Sequence, residues 1–144
     1  MTRILNGIIW VVLTIILANT IHAGTAPNVP ENINNISDLG GRTPADFVMF
    51  LALNKLPFYT FNNKLKGWVA KRDLAVLLSY VDSKQPCSNV RLSISNLAST
   101  EKSTIGQEAV FMIFGCWRGE YPPTLNSTAI GVDKAKIVKW AKEQ

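Results

Sequence analysis

The chain has 144 residues, a net charge of +5, two cysteines (Cys87 and Cys116) and a single histidine, His22. That length suits one domain of ordinary size. The modest excess of cations favours acidic partners without specifying one, and so sparse a supply of imidazole and thiol excludes most nucleophilic and metal-dependent chemistry.

Residues 1–23 read as a secretory signal peptide. Arg3 supplies a positive start, residues 8–18 form an uncharged apolar run, and Ala23 is a small residue before a cut at Gly24. The run is shorter than the ~20 residues a membrane-spanning helix needs. Retention as an N-terminal anchor is the alternative. The expected location is therefore periplasmic or secreted. Cleavage removes Arg3 and His22, leaving fourteen cations against ten anions and no imidazole. Two cysteines in an exported chain predict one bridge, Cys87–Cys116, contributing roughly 3–4 kcal/mol on the chain-entropy model.

Residues 24–42 are rich in Asn, Pro and Gly, as in a flexible N-terminal segment, with Ile33, Ile36 and Leu39 spaced for a turn or two of helix. Residues 43–144 form the expected single helical domain. Its first helix starts at Thr43-Pro44-Ala45-Asp46: a capping hydroxyl, a proline suited to the first turn and an acid placed for the dipole. Seven apolar residues, 47–53, follow and Pro57 stops them. Residues 58–67 read as a connection carrying three aromatics. Leu74, Leu77, Leu78 and Val81 then restore the helical period.

Residues 86–99 are ambiguous. Val90, Leu92 and Ile94 alternate with polar residues as in a short strand near 90–95, yet no partner strand is evident. An irregular or helical segment pinned by Cys87 is the reading preferred. The central element is the helix 104–118. Thr104 and Gln107 form a capping box, apolar residues occupy two adjoining stripes, and Gly119 with Pro122–Pro123 ends it. A short helix begins at Asp133, with Ile137, Val138 and Ala141 on its packing face. The fold class predicted is mainly α: about four helices around 104–118.

Among carboxylates, Glu108, Glu120, Asp73 and Asp82 are the weak catalytic candidates, with Glu101 also in reach, because two-carboxylate glycoside hydrolysis needs only Asp and Glu. The ordinary reading of Glu108 is a first-turn acid favoured by the helix dipole. Trp117, Arg118, Glu120 and Tyr121 gather the residue types enriched at binding hot spots beside a proline-stiffened loop. Residues 64–72 interleave four cations with Trp68, a pattern that suits an anionic envelope polymer or membrane surface.

No glycine-rich phosphate loop, calcium loop or zinc set is present, so no cofactor, metal or nucleic acid is expected. The function expected is a small exported, non-catalytic protein-binding protein. An inhibitor or immunity-type protein of the bacterial periplasm, acting on another exported protein, is the form that fits. A small envelope hydrolase and a membrane-tethered adaptor are the alternatives.

Overall fold

The computed structural model describes residues 28–54, 56–95, 102–128, 131 and 133–144. The signal-peptide expectation and Glu101 lie outside them. Among the described residues no helix is long and apolar enough to cross a membrane.

The mainly-α expectation is corrected. Among the described residues, four α-helices are joined by seven short strands in three sheets, making a mixed α and β fold. Strands β1 (Asn32–Ile33), β2 (Phe58–Phe61) and β5 (Asn89–Leu92) form one parallel sheet in the order β1-β2-β5. Helix α1 (Pro44–Leu53) crosses from β1 to β2, and α2 (Leu74–Tyr80) lies in the longer return to β5. Parallel strands need such crossovers, and their sheet is buried by what crosses. Two antiparallel pairs complete the set: β3 (Leu65–Lys66) with β7 (Glu120–Tyr121), and β4 (Pro86–Cys87) with β6 (Ser103–Thr104).

The segment without an evident partner therefore has one. Val90 is registered against Tyr59 and Leu92 against Phe61, inside the stretch read as a connection. Phe58-Tyr59-Thr60-Phe61 is rich in the aromatic and β-branched residues that suit a pleated surface, and β5 spans Asn89–Leu92.

Helix α3 (Ile105–Arg118) packs against α1, α2 and α4 (Lys134–Lys142). Thr104 Oγ1 accepts from the Gln107 amide at 3.2 Å, and Gln107 Oε1 accepts from the Thr104 amide at 2.9 Å. Gly119, at φ +72°, closes the far end in the left-handed region. Gly106 meets the end of α2 so closely that a Cβ there would lie 2.6 Å from the Ser83 carbonyl oxygen. Between helices and sheet, Phe47 meets Tyr59, Phe61 and Trp68 edge-on, while Tyr121 is enclosed by Phe61, Trp68 and Phe111. Such rings contribute both area and favourable edge geometry. The described part of the N-terminal segment supplies β1 and the buried side chains of Ile33 and Leu39.

The predicted disulfide is also corrected. Cys87 and Cys116 are both free thiols. Cys87 lies opposite Ser103, at the start of α3, whereas Cys116 is in its last turn. The eleven helical steps from Ile105 to Cys116 rise roughly 16 Å at 1.5 Å each, and a bridge needs Cα atoms within about 7 Å.

Candidate functional site

The four residues singled out as a binding cluster separate in the fold. Trp117 and Arg118 stand on the outside of the last turn of α3, with Trp117 37% exposed. Gly119 then reverses the chain, and β7 runs back against β3. Tyr121 is consequently fully buried, and burial, then Glu108 and Cys87, holds its hydroxyl well above the ordinary range. Glu120, half-buried, pairs with Lys64, whose hydrogen bond lowers the carboxyl's pKa.

In place of Tyr121, the fold supplies Trp140. Its ring lies parallel to that of Trp117, centroids 5.4 Å apart and planes 9° apart. Phe114 meets Trp117 edge-on from below at 6.1 Å, and Lys136 holds its ammonium 5.8 Å from the Trp117 ring. Lys136 and Trp140 are four apart on α4, so one face of that helix presents both. The result is a partly exposed double indole with Lys136 over the Trp117 ring and the exposed Arg118 next along α3. Aromatic faces attract cations of this kind, and the cations leave the patch's rim positive. Trp140 carried no local signal, because its partner is contributed by another helix.

The carboxylates do not assemble. Asp73 is engaged in capping, accepting from the Ala70 amide at 2.8 Å. Asp82 pairs with Lys134 at 2.9 Å, and that hydrogen bond lowers its pKa. Glu108 is fully buried in the first turn of α3. Among the described residues, no Asp or Glu lines either of two well-formed cavities.

Glu108 is nevertheless the most perturbed acid. Burial dominates and pushes it up to about 8, against a lesser opposing pull from the Ser103 and Ser127 hydroxyls and the Val90 amide. Neither of its oxygens has a hydrogen-bond partner of ordinary geometry. Ser127 Oγ accepts from the Val90 amide at 3.0 Å. Nearby Cys87 is held well above the ordinary thiol range by burial and then by Glu108. The helix dipole is thus overruled by desolvation, and the first-turn acid is a core residue that prefers its proton. The stripe Ile105–Glu108–Met112 already places position 108 on an inward face.

The basic stretch 64–72 is divided between core and surface. Trp68 is buried against Phe47 and Tyr121, and Lys64 is held by Glu120. No exposed indole remains there to interleave with cations. Among the described residues no group of three or more His, Cys, Asp or Glu gathers in metal-binding range.

The chain matches no protein-family model, no curated protein and no solved structure.

Proposed function

We propose that this protein acts by binding, and that the Trp117–Trp140 face is where it engages another protein. The observation that carries the reading is the stacked, partly exposed indole pair with Lys136 over the Trp117 ring and the exposed Arg118 beside Trp117 in the last turn of α3. Tryptophan and arginine dominate binding hot spots because they desolvate much area with few rotatable bonds lost. A positive rim selects an acidic partner and speeds its approach. With the export that residues 1–23 suggest, the partner is another exported protein, and stoichiometric inhibition of it is the simplest role for so small a chain.

Affinity capture from an envelope extract tests this with four immobilised forms. The unaltered chain and Lys66→Glu, whose change lies on β3, should retain the same acidic partner. Lys136→Glu, which reverses the rim without opening the core, should lose it. Equal retention by Lys136→Glu and a Trp117→Ala variant would overturn the proposal.

A further inference from the structure

Between the end of α2, the start of α3 and α4 lies a cavity of about 360 Å³, within the size range of small-molecule sites. Val81 and Val110 form an apolar wall; Ser83, Lys84, Gln107, Ser127, Thr128 and Lys134 supply the polar one. The hydrogen-bonding capacity left in it leans toward donors, with the Thr128 hydroxyl oxygen the exception. Gln107 Oε1 already accepts from the Thr104 amide, which leaves the side-chain NH2 free to donate. Ser83 Oγ accepts from the Gln85 amide, leaving its hydroxyl hydrogen. The Val81 carbonyl is taken by Lys134 Nζ at 2.7 Å and the Ser83 carbonyl by the Gly106 amide at 3.1 Å. Ser127 Oγ accepts from Val90, and Thr128 Oγ1 donates to Asn126 at 2.9 Å.

Charge points the same way. Among the described residues, two lysines line the cavity and no carboxylate does. Lys134 shares one of its hydrogens with Asp82, which is outside the lining and whose side chain is 89% exposed. Lys84 makes no ion pair at all among the described residues. Behind Ser127, burial keeps Glu108 protonated up to about pH 8, so it adds no opposing charge at neutral pH.

We infer that this cavity binds a small organic oxyanion, a carboxylate or phosphate ester, whose charged end meets Lys84, Ser83 and Gln107 and whose short carbon portion lies on Val81 and Val110. A ligand of acceptors answers a wall of donors, and charge-assisted hydrogen bonds make the match strong. This goes beyond the protein-binding face at the other end of α3 and does not depend on it.

Titration calorimetry and amide NMR on the full chain test the inference, with glycerol phosphate, glycerate, inorganic phosphate and glycerol as probes. Glycerol phosphate or glycerate should bind and shift the Gln107 and Thr128 amides, glycerol should not, and the tighter of the two names the anion class. Lys84→Glu should weaken binding about tenfold or more, as loss of a charged contact does. Lys66→Glu, near the opposite end of α3, should leave it unchanged. Absence of binding at millimolar concentration, equal binding of glycerol, amide shifts centred elsewhere, or equal weakening by Lys66→Glu would each overturn it.

Discussion

The carboxyl of Glu108 lies against the hydroxyl of Ser127, and both side chains are all but sealed from solvent. Glu108 prefers its proton in the fold, at about 8 against an ordinary 4.5. The unfolded chain releases that proton first as pH rises. Stability should therefore be greatest below pH 4.5, fall between 4.5 and 8, and level off above, the reverse of a salt-bridged acid. Full deprotonation costs on the order of 3–5 kcal/mol. Urea midpoints across this range should show the slope in the unaltered chain, and Glu108→Gln should flatten it and be the more stable form at pH 9.

The thiols give a second expectation. Reducing agent should leave the melting temperature unchanged, since no bridge joins Cys87 and Cys116. With an aromatic disulfide reagent at alkaline pH, half-buried Cys116 should react in the native protein. Burial and the nearby Asp73 raise its pKa and slow it. Cys87, buried, should react only after denaturation.

Gly106 should tolerate no side chain. A methyl group there meets the backbone oxygens of Ser83 and Val81 at 2.6 and 2.7 Å, and backbone cannot swing aside as a side chain can. Gly106→Ala should cost roughly 2–4 kcal/mol, seen as a lowered urea midpoint with unchanged slope. Gly119→Ala, strained by its positive φ alone, should cost about 1–2 kcal/mol.

Tyr121 and Arg118 should part company under mutation. Tyr121→Ala empties the centre of the aromatic core and should cost about 3–5 kcal/mol. Tyr121→Phe removes only a buried hydroxyl that has no hydrogen bond, so its melting temperature should match or exceed that of the unaltered chain. Arg118→Ala should change stability by no more than about 0.5 kcal/mol.

What could be read without coordinates was local. The Thr43–Asp46 and Thr104–Gln107 boxes and the Gly119 cap each act within one helical turn, so their residues carry the whole signal. Pairing is different. Phe58 meets Asn89 across 31 residues, and nothing in either stretch names the other. Without β2, the alternation around Val90 had no sheet to join, and a fold of strands and helices looked like helices alone. The cysteines failed for a related reason: their number suits a bridge, but their separation depends on which end of α3 each one meets. At the candidate site, Trp117 and Arg118 were visible as hot-spot types. Tyr121 was misread because a single left-handed glycine turns its neighbour inward, and Trp140 was missed because stacking joins two helices.

The pairing of Leu65 with Tyr121 has a temporal side. Strand β3 finds its partner 56 residues downstream, on a strand that itself follows the 14-residue helix α3. A growing chain that has emerged only as far as α2 lacks α3, β7 and the ring of Tyr121 that fills the centre, so it cannot lock. Closure waits for the last quarter of the polypeptide, and until then the ribosome-proximal product stays open to chaperones and proteases.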